Sequence, residues 1–497
     1  MTQALDLSAP LVVPELASIG LTFTRAALTR GVLAVGGTGS GKTKSVLLPL
    51  LTAILRERAL AAPEHRSSVV CIDPKHELGT YVRAIDPRVI EVGASTERPL
   101  DLFASADRGH LDAGAVVDRY FALSSVLMDG ARDGFWRTGA RELLRECVSI
   151  DLHCLERGGA GGDAHIRRAL LWRALSRAVL DAGRITPAEA RLMVSPRRPI
   201  SRYLQLIRLL VRDGSSPLGG ASSATLLQRV LSQHVPDLAL PALSRLAELS
   251  SETASSLSAT VAALVGCLST ERVQRLVRLD VLPPLRTTPV LSMADVVRSG
   301  AVVLYQPRRG SEEESTIGRA VKAALYDAVL AGVACTSFGA IQRLVALVVD
   351  EAQEVISSTG VSDAQFLAVG RAFGAATVFA TQSISALRDR LPLGSHDTVR
   401  AILTNLATRV QLATTDPLTI DELRPLIPLP PAGGPHLLDV RSPAQYLPGE
   451  AIWIAPGGWG IGAVPIVAPI GDARAPAQPR TTDRIDHPSL QRAPRSN

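Results

Sequence analysis

The order of apolar and polar positions divides the chain into two kinds of segment. Residues 31–36, GVLAVG, are an unbroken apolar run bounded by glycine, the pattern of a buried strand. Residues 43–58, TKSVLLPLLTAILRER, then repeat apolar positions at helical spacing. A second strand, SSVVCI, ends at Asp73, where Pro74 stops the pairing and opens a loop. From about residue 116 the pattern turns helical: Trp136, Ala140, Leu143, Cys147, Ile150 and Cys154 recur at intervals of four and three, one core-facing stripe on one helix. Helical character runs on to about residue 285, broken by the polar, glycine-rich stretches RGGAGGDAH and DGSSPLGGASS. Strand patterns return at GAVVLYQP, RLVALVVDEA, AATVFATQS and NLATRVQLAT, with helices between them, one opened by a capping box of Ser311 and Glu314. A last strand pair, AIWIA (451–455) and GAVPIVA (462–468), precedes an Arg/Pro-rich tail whose composition predicts disorder.

Strands alternating with helices predict an α/β fold, a mostly parallel sheet covered by helices on both faces. The boundaries read as 1–115 for the first part of a nucleotide-binding domain, 116–285 for an all-helical insertion, 286–470 for the second part and 471–497 for the tail. Among the 497 residues 46% are apolar but only 4% aromatic, so the core must be aliphatic. A net charge of +6 permits contact with nucleic acid or anionic lipid without requiring either. Five cysteines, Cys71, Cys147, Cys154, Cys267 and Cys335, include no Cys-x-x-Cys pair, which argues against a zinc site or a disulfide frame. The N-terminus lacks a basic signal-peptide region and carries Asp6 and Glu15. The longest uncharged helical stretch, residues 253–270, holds seven hydroxyl residues in eighteen. No membrane span is therefore expected; the chain reads as cytoplasmic, with any attachment to the inner membrane made through partners.

Chemistry concentrates in three places. Gly36, Gly37, Thr38, Gly39, Ser40, Gly41, Lys42 and Thr43 fit Gly-x-x-x-x-Gly-Lys-[Ser/Thr], whose backbone N–H groups cradle nucleotide phosphates. Lys42 is one of only four lysines beside 49 arginines, and a compact ammonium suits the loop where a planar fork does not. In this reading Lys42 reaches the outer phosphates of ATP and Thr43 places its hydroxyl on Mg²⁺. Asp350, ending the run LVALVVD, is placed to hold the Mg²⁺ water shell, and Glu351 to orient or deprotonate the attacking water, their directions separated by strand alternation. Gln382, after the strand VFAT, is placed to sense the γ-phosphate, unless it merely caps the following helix. Arg371 is a solvated helix residue or, in a ring of subunits, a finger into the neighbour's site. Between Arg167 and Arg212 there are eleven arginines against two acids, and with Trp172 and Tyr203 nearby this segment reads equally as a track for a phosphate backbone or as a solvated or acidic-partner-binding face.

GGTGSGKT with Pro49 seven residues after its lysine, DPKHELG, FWRTGARELL, SGAVVLYQP, VVDEAQEV, GRAFGAATVFATQS and NLATRV, in this order, resemble the coupling proteins of bacterial type IV secretion and conjugation systems. The resemblance covers about Arg30 to Ala468. It implies a RecA-like P-loop ATPase, hexameric when active, that delivers relaxase-bound single-stranded DNA or effector proteins to a secretion channel, the helical insertion choosing the cargo. It assigns Lys42 and Thr43 to phosphate and Mg²⁺, Asp350 and Glu351 to metal and water, Gln382 to the γ-phosphate and Arg371 to the trans finger. Arg30, twelve residues before Lys42, falls where the family carries an arginine near the nucleotide. There are two departures: family members typically begin with membrane helices, which this chain lacks, and His76 stands where DPKGE has glycine. A bulky residue there implies negative φ and a locally different loop, with the imidazole facing solvent. Two other readings stay open: a DNA translocase or packaging motor without a channel, and an ATP-gated adaptor that hydrolyses little.

Overall fold

The computed structural model describes residues 4–92, 100–101, 113–123, 133–156, 163–195, 199–213, 223–246, 248–278, 291–308, 310–358, 362–391, 396–427, 436–456 and 458–465. The tail from Gly471, together with Arg197 and Arg198, lies outside them.

Nine strands form the central sheet: β1 (Val32–Val35), β2 (Ser68–Ile72), β3 (Ile90–Val92), β4 (Val302–Tyr305), β5 (Val345–Val349), β6 (Ala375–Thr381), β7 (Thr408–Gln411), β8 (Glu450–Ala455) and β9 (Gly458–Ala463). Their spatial order is β9-β8-β7-β1-β6-β5-β2-β4-β3. From β7 to β3 every pairing is parallel, and β8 and β9 add an antiparallel edge. The inner strands are buried along their whole length, as apolar runs covered on both faces must be. Alternate residues feed two cores: Leu33, Val70, Ile72, Leu347 and Val349 on one face, Val32, Ala34, Val69, Cys71, Ala346 and Val348 on the other.

One strand boundary and one helix cap differ from the sequence reading for physical reasons. β9 is Gly458–Ala463, several residues before GAVPIVA, because a tight hairpin pairs Ala455 with Gly458 and fixes the register from there. Pro465, without an N–H, lies just past the end of that strand. The Ser311 cap is also only half a box. Its hydroxyl accepts from Glu314 N at 3.4 Å, but the Glu314 carboxylate turns away to Tyr305 Oη, 2.7 Å, and Arg272.

Between β3 and β4 the chain is mainly helical. After the sheet-covering helix α1 (Leu48–Leu60) come α2 (Ala113–Leu123), α3 (Asp133–Glu156), α4 (Asp163–Asp181), α5 (Pro187–Val194), α6 (Pro199–Asp213), α7 (Ser223–His234), α8 (Pro241–Leu246) and α9 (Ser251–Val265). Ala140, Leu143, Cys147 and Ile150 bury the predicted stripe of α3, Trp136 is partly buried against the same core, and the Cys154 side chain lies outside the described residues.

The arginine-rich segment is not a row of free cations over aromatic rings. Asp151 of α3, fully buried, accepts from Arg168 Nε at 2.9 Å, Trp172 Nε1 at 2.7 Å, Arg202 at 3.2 Å and Tyr203 Oη at 2.5 Å. Burial pushes the Asp151 carboxyl up, but the two guanidinium groups and the ring donors outweigh it and hold it below the usual range. Trp172 and Tyr203 are therefore core residues fixing α3, α4 and α6 together, and the exposed arginines of the segment, such as Arg173, Arg177 and Arg208, stand away from them.

Helix α10 (Glu312–Leu330) joins this block to the sheet, with Arg319 Nε donating to Leu123 O at 3.2 Å and Asp327 paired with Arg119 at 2.8 Å. Further along α10, Lys322 donates to both Asp363 oxygens, at 2.8 and 2.6 Å, and to Val355 O, while Tyr326 Oη also donates to Asp363. The chain that follows β5 is thereby tied to the helix. Cys71, Cys147, Cys267 and Cys335 are free thiols, and among the described residues no helix is long and apolar enough to cross a membrane.

Candidate functional site

The site lies at the carboxyl ends of the parallel strands, where β1, β6, β5 and β2 run side by side. Gly36–Gly41 leave β1 as a tight loop, with Gly37 N donating to Ala413 O and Gly36 N to Thr381 O. Gly41 sits at φ 98°, and a Cβ there would meet Gly449 N at 2.9 Å, so this position requires glycine. Gly449, just before β8, donates to Ser40 O at 2.9 Å and closes the loop from the far edge of the sheet, a contact that no local sequence pattern announces. The expected helix begins as a π-helical turn, Lys42–Leu47, before continuing as α1. π turns of this kind are often found at functional sites.

Lys42 is buried and folded back on its own loop, donating to Gly36 O at 2.5 Å and Gly37 O at 3.2 Å. Burial, and then repulsion from Lys75, hold its ammonium below the usual lysine range. Thr43 Oγ1 donates to Asp350 Oδ2 at 3.1 Å, joining residues 307 positions apart. The loop and the β5 acids predicted separately thus form one cluster. Asp350 is fully buried, and burial pushes its carboxyl up to about 6.

Asp350 and Glu351 follow the end of β5, so strand alternation does not separate them. Glu351 instead adopts left-handed backbone, φ 50° and ψ 55°, a strained choice for glutamate. Gln353 Nε2 donates to Glu351 Oε2 at 2.6 Å and is itself fixed by Thr381 Oγ1, which donates to Gln353 Oε1 at 2.8 Å. Lys75 pairs with Glu351 Oε1 and lies 3.7 Å from Asp350 Oδ2. Burial alone would raise the Glu351 carboxyl, but the bonds from Lys75 and Gln353 prevail and hold it low.

Lys75 is held by the DPKHE loop. Asp73 accepts from the N–H groups of Glu77, Leu78 and Gly79 and from Gln306 Nε2, at 2.9 to 3.2 Å, which fixes the loop's base. His76 does not take negative φ: it keeps the left-handed conformation at φ 59°, which histidine tolerates better than most side chains, and its exposed ring approaches Pro307 O at 3.2 Å.

Gln382 follows β6 directly and is exposed beside the phosphate loop. The cap of the next helix is Ser383, whose hydroxyl accepts from Ala386 N at 3.0 Å, so Gln382 does not serve as that cap. Arg371 and Arg30 are not brought to this cluster. Arg371 is exposed on the turn Gly370–Phe373 that precedes β6, and Arg30 lies just before β1, so both stand at the amino ends of central strands, the opposite end from the phosphate loop.

An oxygen-rich donor set fits a hard divalent cation completed by phosphate oxygens. Thr43 and Asp350 already touch, and no cluster of three or more His, Cys, Asp or Glu among the described residues offers a protein-only metal cage. Two buried hydroxyls, Ser40 Oγ in the loop and Ser45 Oγ in the π-helical turn that follows it, have no hydrogen-bond partner, as in a cradle shaped for a ligand.

The glycine loop between β1 and α1, set beside the acids that follow β5 at the carboxyl ends of a mostly parallel sheet, gives a RecA-like P-loop fold. Residues 292–427 match the family model of the Type IV secretion-system coupling protein DNA-binding domain, which bears out the resemblance read from the motifs. Among solved structures the chain is similar to the bacterial conjugative coupling protein TrwBdeltaN70 in its unbound form, at 15% identity over 94% of this chain and 90% of that one, with a TM-score of 0.57. It is similar to the plasmid coupling protein TrwB in complex with GDPNP, at 15% identity, 94% and 91% coverage and a TM-score of 0.55. TrwB in complex with ADP and Mg²⁺ gives 14%, the same coverage and 0.55. At these identities the likeness establishes the fold. No curated protein sequence matches the chain.

Proposed function

We propose that the chain is a Mg²⁺-dependent ATPase of the coupling-protein kind, which passes DNA, as a relaxase-bound single strand, or effector proteins to a type IV secretion channel. The observation that carries the ATPase reading is the Thr43–Asp350 contact, which joins the two halves of a nucleotide site across 307 residues. The coupling role is supported by the family match over residues 292–427 and by the fold shared with TrwB, a conjugative coupling protein whose structures hold a GTP analogue or ADP and Mg²⁺.

In this reading the loop N–H groups of Gly36–Thr43 bind the phosphates, and Lys42 exchanges its bonds to Gly36 O and Gly37 O for the outer phosphate oxygens. Thr43 and Asp350 hold Mg²⁺, which when bound neutralises phosphate charge. Glu351, anchored at Oε2 by Gln353, orients the attacking water and takes its proton, and Gln382 contacts the γ-phosphate from the end of β6. Arg371, before the amino end of β6, acts on an adjacent subunit of a ring. Residues 116–285 form the insertion that chooses cargo.

The test is Lys42→Ala. It removes the ammonium without touching the loop's backbone, so the protein should stay folded, lose its thermal stabilisation by Mg·ATP and stop turning over. Undiminished stabilisation with normal turnover would show that the phosphates bind elsewhere. Steady-state ATPase with and without single-stranded DNA then separates a motor from a slow adaptor.

A further inference from the structure

We infer that Lys75 is a positioning residue of the nucleotide site: it is the resting counter-ion of Asp350 and Glu351, and a divalent cation entering the site displaces it and so frees Glu351. This rests on the nucleotide-site reading above.

Two adjacent carboxylates are buried here, Asp350 at 0% and Glu351 at 4% exposure. A pair of buried anions needs a cation close by. Lys42, the cation expected from the motif, is turned to the carbonyls of Gly36 and Gly37, and Thr43 is neutral. Lys75 supplies the charge, touching Glu351 Oε1 and standing 3.7 Å from Asp350 Oδ2. That Asp350 oxygen also accepts from Thr43, so the ammonium faces the atom that a cation held by Thr43 and Asp350 would use.

Glu351 is gripped at both ends. Gln353 fixes Oε2, and Oε1 has no hydrogen-bond partner other than the pairing with Lys75. While that pairing lasts the carboxylate has no free oxygen to offer a water. Asp73 holds the loop backbone with bonds from three N–H groups and from Gln306, so the Lys75 side chain can withdraw without the loop opening. A dication near Asp350 is repelled by the ammonium and competes with it for the same oxygens, and both effects weaken metal binding while Lys75 is in place. Arrival of the metal and release of the water-activating carboxylate then become one event, which restrains hydrolysis in an incompletely loaded site.

The experiment measures Mn²⁺ binding by electron paramagnetic resonance, without nucleotide and with ADP, beside thermal melts of the metal-free protein. Lys75→Met should bind Mn²⁺ at least ~10-fold more tightly than wild type, since both the repulsion and the competition are gone. Its metal-free melting temperature should fall, and Mn²⁺ should restore it. Lys75→Arg keeps the charge and should bind Mn²⁺ more weakly than Lys75→Met does. Should Lys75→Met fail to fold, the double variant Lys75→Met/Glu351→Gln, which removes one charge of each sign, should fold and melt near wild type. Mn²⁺ binding by Lys75→Met no tighter than wild type, with Mg·ADP still stabilising both, would overturn the role of Lys75 and leave the nucleotide site standing. If wild type itself is not stabilised by Mg·ADP, the site reading fails and this inference falls with it.

Discussion

Arg371 offers the sharpest test of how the site is completed. It sits on the turn before β6, whereas the phosphate loop faces the other end of that strand, where Thr381 lies opposite Val35. The seven residues of β6, at about 3.3 Å each, put roughly 20 Å between the two ends. An arginine side chain covers about a third of that distance. Arg371→Ala should therefore leave nucleotide binding by the isolated subunit unchanged, and should lower turnover only in an assembly, by the ~10³ to 10⁵ typical of a finger supplied in trans. Turnover of the wild type should rise more than linearly with protein concentration. Mixing Arg371→Ala, which keeps its site, with Lys42→Ala, which keeps its finger, should restore activity. In a head-to-tail ring mixed one to one, roughly a quarter of the interfaces pair an intact site with an intact finger, so about a quarter of wild-type turnover is the ceiling. Full activity of Arg371→Ala alone, or a mixture that stays dead although the two proteins demonstrably co-assemble, would refute the argument and return Arg371 to an ordinary solvated position.

Two further expectations follow from the helical block. Asp151→Ala leaves the buried guanidinium groups of Arg168 and Arg202 without their carboxylate and should cost about 3–5 kcal/mol in denaturant unfolding of the block, whereas a loss below about 1 kcal/mol would show that the ion cluster does not hold α3, α4 and α6 together. If the exposed face of α4 follows a nucleic-acid backbone, Arg173→Glu with Arg177→Glu should reduce the slope of log affinity for single-stranded DNA against log salt by about 1.4, and an unchanged slope would place the contact elsewhere.

Most of the strands, the phosphate loop and the acids that follow β5 were legible in the sequence because each is a local pattern: apolar runs ending in glycine, proline or acid, with a fixed eight-residue loop; the short edge strand β3, Ile90–Val92, was not read. The arginine segment was read wrongly in part because its decisive partner is not local. Asp151 lies 17 residues from Arg168 and 51 from Arg202, and without it two arginines beside Trp172 and Tyr203 look like a surface for phosphates. Glu351 illustrates a second limit. Alternation along a strand gives directions only within the strand, and this residue has already left β5 for left-handed backbone.

Composition held one signal that local patterns did not exploit. The chain has 49 arginines and four lysines, Lys42, Lys44, Lys75 and Lys322. A chain that uses arginine almost everywhere keeps lysine where a compact ammonium does what a planar guanidinium cannot. Three of the four bear this out: Lys42 folds back onto the carbonyls of Gly36 and Gly37, Lys75 reaches between two buried acids, and Lys322 meets both Asp363 oxygens and the Val355 carbonyl inside the core. Only Lys44 is exposed. The contacts of Lys322 also show what such a group gains from its small size, since one nitrogen satisfies a carboxylate and a main-chain carbonyl at once behind α10, holding the chain that follows Glu351. Lys75 is a rare ammonium one residue past Asp73-Pro74, in the loop that leaves β2, and β2 lies beside β5, whose end Asp350 and Glu351 follow.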